Sequence, residues 1–434
     1  MPGSARVEGV VVGYAFETAG EPVARTQHGV RGPASPLARR ASAGSLVFLF
    51  LLPAPVATAF PSAAGNQGAR ALASPADRPH RVWVEREAFV MGTRLRLRIA
   101  GADRAAALRA SEAAMEAISE TDDLLSTWRA GTALADFNAA PIGHRVPVSA
   151  PLADLLDEVA AWTRETRRAF DPAVGALVDA WNLRGIGRVP SPTELERALD
   201  SSGPRCFDLE ARERRARRLC PEGWLDSGGF GKGAALRRAR RALESTGARS
   251  ALLDFGGQQL AYGPSDRGSA WAVDVAHPAR RHQPVARIRV TEGSVATTGQ
   301  SERAILTPAG RFGHVIDPRS GHPVPAWGSV TVVAHDPLTA DILSTALFVM
   351  GPSEGLEWLD ERPDIPALFL VDGPRGVEIR ASGAMRSLLQ EEPTADRRAT
   401  PARPRPIRGS AEGTLQRRDR FTPQTKGSPC RPCI

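Results

Sequence analysis

Residues 225–234 read LDSGGFGKGA and set a lysine, Lys232, between two glycines and six residues after Asp226. The 434-residue chain has one other lysine, Lys426, and between residues 81 and 390 arginine fills every other Lys/Arg position. Gly228, Gly229 and Gly231 let backbone come close to a ligand. A helix starting near Lys232 would turn its N–H groups and positive dipole end toward the same place. An ammonium there meets a phosphate, and Asp226 can accept from a ribose or a base. The stretch is not a P-loop, because Asp226 stands five before Gly231 where that motif has glycine, and Gly233 follows Lys232 where it has Ser or Thr. Nor is it a dinucleotide fingerprint, since Gly229, Gly231 and Gly233 have the wrong spacing. A glycine turn with a solvated lysine is the plain alternative. Arginine would serve solubility equally well, so a lone lysine argues for a compact point charge at this position.

Two further groups carry chemistry. In TADILSTALFVMG, Asp341 and Thr345 lie four apart, so on a helix their oxygens share one face. Two hard oxygens one turn apart suit Mg²⁺, which takes few protein ligands and completes its shell with phosphate and water; an exposed pair is the plainer reading. In GHVIDPRSGHP, His314 and Asp317 flank an apolar pair before a proline turn. A histidine in a pocket is a candidate base, and at a strand end it is more often structural. FDPAVGALVDAWN (170–182) and FGG (255–257) add aromatic-plus-glycine turns.

These groups need a scaffold. Leu95, Leu97 and Ile99 alternate with arginines in a half-buried strand, and 103–126 and 151–169 have helical spacing. Residues 206–220 read as strand, charged turn, strand, and KGAALRRARRALESTG as an amphipathic helix stopped by Gly247. Strands follow at RSALLDFGG and near 271–275, 285–290, 294–297, 329–335, 366–371 and 377–380, with a helix over about 338–350. Hairpins mixed with helices, without a repeating βαβ pattern or internal repeats, indicate an α+β fold in one large domain over 81–390.

Composition narrows the partners. The formal charge is +8, yet residues 81–390 hold 39 basic and 39 acidic side chains, so the charge sits at the ends and the body is not a nucleic-acid binder. Residues 1–80 form an extension in which Arg39 and Arg40 precede an apolar run, SLVFLFLLPAPVATAF, with its h-region at about 45–56. That run is short for a bilayer helix, and Ala57, Thr58 and Ala59 offer a secretory cleavage site. The expectation is export to the periplasm or the outer face of an inner membrane, with an uncleaved membrane anchor as the alternative. Export would permit a disulfide between Cys206 and Cys220, which the hairpin could bring face to face; two free thiols are the alternative. Cys430 and Cys433 lie in a basic Pro/Arg-rich tail, 391–434, with a disordered composition and no assigned chemistry.

Taken in order, MGT (91–93), STW followed by ALADFN (126–138), AFDPAVGALVDAWN (169–182), LDSGGFGKG (225–233), LLDFGG (252–257), TTGQSER (297–303), HVIDPRSG (314–321) and SVTVVAHDPLTADILSTALFVMG (329–351) resemble the FAD:protein FMN transferases, the ApbE family, over roughly 85–385. The resemblance implies a single ApbE-like domain of mixed sheets and packed helices. It implies that FAD is cleaved, that FMN passes in phosphoester linkage to a Thr or Ser of a target flavoprotein, and that AMP leaves. Asp341, Thr345 and a backbone carbonyl at Gly229 would hold Mg²⁺. Met91, Trp128, Ala169, Phe170, Asp171, Asp226, Lys232 and Ile316 would line the FAD site, and His314 would be the base. Ser227 and Gly231 stand where the family commonly has an apolar residue and alanine, and Gln300 and Ser301 where it often has an acid and an aromatic. The family expectation for the acceptor is a flavin-carrying subunit of a membrane redox complex. The chain's own SGA at 382–384 lacks the Thr or Ser that follows in a typical acceptor. FAD hydrolysis to free FMN and AMP is one alternative; non-catalytic flavin binding is another, which would need neither His314 nor the Asp341/Thr345 pair.

Overall fold

The computed structural model describes residues 81–390 except Ser269, 301–303 and 308–309. The apolar N-terminal run, the tail cysteines and the SER of TTGQSER therefore lie outside the described residues.

The main sheet begins with a hairpin, β1 (Val82–Val90) and β2 (Thr93–Gly101), closed by Met91 and Gly92 with φ of 48° and 72°. Both central residues are left-handed, as a two-residue hairpin turn requires, and the first is a methionine where Asn or Asp would cost less. Helix α1 (Arg104–Leu125) follows, capped by Asp103 accepting from the Ala106 N–H. A smaller region comes next: α2 (Ala133–Asn138), β3 (Arg145–Pro147), α3 (Ala150–Glu165), α4 (Gly175–Ala180), α5 (Pro192–Asp200), β4 (Phe207–Glu210) and β5 (Arg215–Arg218). The three strands form their own sheet in the order β3-β5-β4, and a disulfide joins Cys206 to Cys220 across the open end of the β4–β5 hairpin. Helix α3 ends at Glu165 rather than near 169, because Arg167 and Arg168 turn to φ of 51° and 64° and redirect the chain.

Helix α6 (Gly231–Ser245) then leads into β6 (Ser250–Phe255), β7 (Gln258–Tyr262), the β8 (Trp271–Ala276) and β9 (Pro284–Val290) hairpin, β10 (Gly293–Gly299), β11 (Ala304–Thr307), β12 (Gly310–Gly313) and β13 (Gly328–Ala334). Helix α7 (Pro337–Asp360), β14 (Ala367–Gly373), β15 (Gly376–Ala381) and α8 (Gly383–Arg386) complete the described chain. Eight strands make one sheet in the order β1-β2-β6-β7-β10-β13-β14-β15, with every neighbouring pair antiparallel. This is the α+β architecture the hairpin-rich pattern anticipates. Helix α7 runs past Met350, but Gly351 at φ 74° breaks it, and Pro352 restarts it as an N-terminal proline can.

Alternation along the strands gives the sheet two apolar faces. On one, Leu95, Leu97 and Ile99 pack with Ala110, Ala114 and Ile118 of α1 and Ala235, Leu236 and Ala239 of α6. On the other, Val295, Val333, Leu368 and Leu370 are covered by Trp271, Val273 and Ile288 of the β8–β9 hairpin. Helix α7 is apolar nearly all round and lies in the largest core cluster, joining Val330, Val332 and Phe369 of the sheet to Leu152, Leu156 and Val159 of α3. So α6 and α7 are wedged between the sheet and the smaller region, and their N-terminal ends meet there.

Candidate active site

The N-terminus of α6 receives no side-chain hydrogen bond from its own N-cap residue, Phe230. Asp341, from α7, does that work. Its Oδ2 accepts from the Gly233 N–H at 2.8 Å, the third helical amide and one an ordinary cap would take. Its Oδ1 accepts from the Lys232 Nζ at 3.3 Å. The Asp341 side chain is 5% exposed, so helix dipole and ammonium compensate a carboxylate that burial would otherwise penalise. The contact depends on Gly233: a Cβ there would lie 2.6–2.7 Å from the Pro337 carbonyl oxygen, the Asp341 Cβ and the Leu338 Cα. No side chain fits, and its absence lets the two helices close.

The glycine turn before α6 is pinned from three sides. The Asn138 amide donates to the Leu225 carbonyl and its oxygen accepts from the Leu225 N–H, both at 2.9 Å. Ser227, the residue departing from the family habit, donates its hydroxyl to the Leu125 carbonyl at 3.0 Å. Asp226 closes an Asx turn by accepting from the Gly228 N–H at 2.6 Å. A Cβ on Gly229 would stand 3.1 Å from the Phe170 ring and 3.5 Å from the Thr345 Oγ1, so the bare backbone here lies beside the threonine hydroxyl of α7.

These groups open into one cavity of about 690 Å³, a size typical of small-molecule sites. Its lining brings together Trp128, Ala169, Phe170, Asp171, Asp226, Gly229, Lys232, His314, Ile316, Asp341 and Thr345 from segments far apart in the sequence. Met91 is not among the lining residues. It sits behind the floor, where its Cε would be 3.2 Å from a Cβ on Gly231, so an alanine there would press on the methionine tip. His314 follows directly after β12 and is half-buried. Beyond it Ile316 pairs with Pro323, and Asp317 is engaged by the Arg319 guanidinium at 3.0 Å within the same turn and does not line the cavity. Gln300 is buried, donates to the Val324 carbonyl and lies against Gly313, next to His314.

Asp171 has a second electrostatic character. Burial lifts its carboxyl above the ordinary range, against the opposing pull of the Ala173 N–H at 2.9 Å and the Arg168 guanidinium at 3.2 Å. Its two neighbours are apolar, and Phe170 meets Phe230 edge to face at 6.5 Å.

Arg184 also lines the cavity and is a candidate the sequence did not single out. Its guanidinium carbon lies 4.6 Å from the Trp128 ring and 4.2 Å from the Trp224 ring, and it donates to the Thr127 carbonyl at 3.0 Å and to Asp226 Oδ2 at 3.3 Å. Trp224 is fixed in turn by donating its indole N–H to Asp179 at 2.7 Å. At the same rim Trp128 is 67% and Ile186 89% exposed, large apolar side chains left in water at the mouth. Of the three side chains only Trp128 falls within a motif singled out in the sequence; Arg184 and Trp224 lie just outside the neighbouring ones. Gln258 was also missed: its side-chain nitrogen donates to the Pro337 carbonyl at 2.9 Å, which fixes the amide's orientation and leaves its buried oxygen without a partner.

Asp341, Thr345 and the Gly229 backbone together make a small set of hard oxygen donors. Among the described residues no group of three or more His, Cys, Asp or Glu could hold a metal. The donor chemistry suits Mg²⁺ and fits poorly a metal that needs a full cage of protein ligands.

Comparison with known proteins places the chain in a family. Residues 91–369 match the ApbE family. An FAD:protein FMN transferase of Treponema pallidum is 32% identical over 318 residues, covering 69% of this chain and 87% of the relative. One of Klebsiella pneumoniae is 30% identical over 286 residues, covering 65% and 87%. Among solved structures, the ApbE protein of Thermotoga maritima aligns with a TM-score of 0.66 at 28% identity, and the flavin transferase ApbE of Vibrio cholerae with 0.63 at 25%; each alignment covers 71% of this chain and all of the other.

Proposed function

The chain belongs to the ApbE family, and from that premise we propose that it is a Mg²⁺-dependent FAD:protein FMN transferase. The observation that carries the reading is that one cavity gathers the lysine, the Asp341/Thr345 pair, the bare Gly229 backbone and His314.

In the proposed reaction the hydroxyl oxygen of an acceptor Thr or Ser attacks the phosphorus on the flavin side of FAD's diphosphate. The new phosphoester P–O bond forms as the bond to the bridging oxygen breaks, and AMP leaves with that oxygen. Asp341, Thr345 and the Gly229 carbonyl would hold Mg²⁺, which supplies charge neutralisation to the diphosphate when bound. Lys232 adds a cation at the same end on a flexible stem that fits a glycine-walled space, and the α6 N-terminus adds its dipole. His314 takes the acceptor's proton as its oxygen attacks. Ala169, Phe170, Asp171, Asp226, Trp128 and Ile316 orient the dinucleotide, and Met91 supports the floor beneath Lys232.

We further propose export, with the acceptor a flavin-carrying subunit of a membrane redox complex. The Cys206–Cys220 disulfide supports an oxidising location.

The test is incubation with FAD, Mg²⁺ and an acceptor domain bearing a Thr, read by mass spectrometry for an added FMN. His314→Ala should lower transfer about 10²–10⁴-fold while FAD still binds. Free FMN with no flavin on the acceptor would mean hydrolysis; FAD bound but never cleaved would mean a binding protein. Either result overturns the proposal.

A further inference from the structure

The Lys232–Asp341 pair raises a problem for the proposed metal. The Oδ1 that a cation would take is already held by an ammonium at 3.3 Å, while Oδ2 is committed to the Gly233 N–H at 2.8 Å. Oδ2 cannot be released cheaply, since it caps α6 at a crossing where backbone atoms leave no slack. Oδ1 is the exchangeable atom. A divalent ion and an ammonium on one buried carboxylate oxygen repel each other, so the two occupancies exclude one another. Lys232 has somewhere to go: its side chain is 31% exposed and lines the cavity, whereas Asp341 is pinned.

We propose that Lys232 is a placeholder cation. In the ligand-free protein its ammonium neutralises Asp341 and keeps the buried carboxylate stable; metal entry displaces it into the cavity, where it is delivered to the substrate's diphosphate. The inference rests on the reading of Asp341 as a metal ligand. It also gives a second reason for lysine over arginine. A single ammonium lets go of one oxygen without breaking a bidentate fork, which a guanidinium would hold on to.

Two lysines make the exchange directly measurable. Wild-type protein is acetylated with a limiting amine-reactive acetyl ester, and mass spectrometry follows Lys232 with Lys426 as internal reference. Mg²⁺ alone is expected to raise Lys232 acetylation about threefold relative to Lys426 as the ion pair opens, and Mg²⁺ with ADP as a diphosphate probe to suppress it again. Unchanged or reduced acetylation with Mg²⁺ alone would overturn the proposal. Independently, Mn²⁺ titrated into FAD-free protein and followed by electron paramagnetic resonance should bind Lys232→Met about tenfold more tightly than wild type, because the competing cation is gone. Equal or weaker binding to Lys232→Met sinks the exchange while leaving the metal site standing. Mn²⁺ bound by neither protein sinks the metal reading itself, and with it this one.

Discussion

The two ends of the cavity are built differently. At the floor, α6 and α7 touch through a missing side chain: Gly233 meets backbone and Cβ atoms at 2.6–2.7 Å, and Asp341 bonds across the crossing. At the mouth, Trp128, Arg184 and Trp224 come from three separate loops, held by cation–π contacts, one ion pair of 3.3 Å and hydrogen bonds to Thr127 and Asp179, with Trp128 two-thirds exposed. The floor sits at a close helix crossing, between the main sheet and the smaller region. The mouth borders water. This contrast suits the proposed chemistry, because transferring a phosphoryl group depends on position to a fraction of an ångström, whereas holding flat rings tolerates adjustment.

Breaking the floor should therefore cost the most. Gly233→Ala forces backbone apart at the crossing, and we expect transfer to fall about 10²-fold from misplacement alone. A stability loss of about 1–3 kcal/mol from overpacking should accompany it in a denaturant melt. If Gly233→Ala keeps full turnover, the crossing is not what positions Lys232 and Asp341.

The mouth should respond more mildly, and in binding more than in rate. Arg184→Met keeps the length of the side chain but removes the charge shared by two indoles and Asp226. FAD affinity should weaken about tenfold, roughly 1.4 kcal/mol, with kcat nearly unchanged. Flavin fluorescence titration beside steady-state transfer separates the two, and a kcat loss as large as that of Gly233→Ala would erase the distinction.

The smallest effect sharpens where the two ends join. Burial raises the Asp171 carboxyl, so the folded state holds that proton more tightly than the unfolded chain does. Ionised Asp171 then costs stability at neutral pH, and the cost fades as pH falls through its raised value and is gone below the value of the unfolded chain. Asp171→Asn should raise the melting temperature slightly at pH 7–8, with the gain shrinking at acidic pH. The same substitution should weaken FAD binding if the carboxylate faces the substrate, and a melting curve that shifts equally at all pH values would refute the electrostatic account.

Much of the floor is legible in the sequence. Lys232 stood out by residue type, Asp341 and Thr345 by spacing, and His314 by its turn, while the strand alternation around Leu95, Leu97 and Ile99 marked the sheet. Less was visible at β7, where QQLAY is short and begins straight after a glycine turn, and at β1, whose charged residues blur its alternation. Helix α3 looked longer than it is because nothing in Arg167 or Arg168 announces a left-handed backbone. Arg184 was one arginine among many, since cation–π partners 40 and 56 residues away leave no local pattern.

The sequence by itself determined the chemical inventory: one lysine where a point charge is wanted, hard oxygens one helical turn apart, and glycines where nothing larger fits. Periodicity set the helices and most strands, because burial of one face is a local, repeating demand. Only the tertiary structure decided that Asp341 caps a helix beginning 110 residues earlier and holds Lys232. That pairing depends on an empty volume at Gly233, and the absence of a side chain acts on whichever distant segment packs into the gap. The same holds for Arg184 and its two indoles, whose meeting is fixed by the path of three loops.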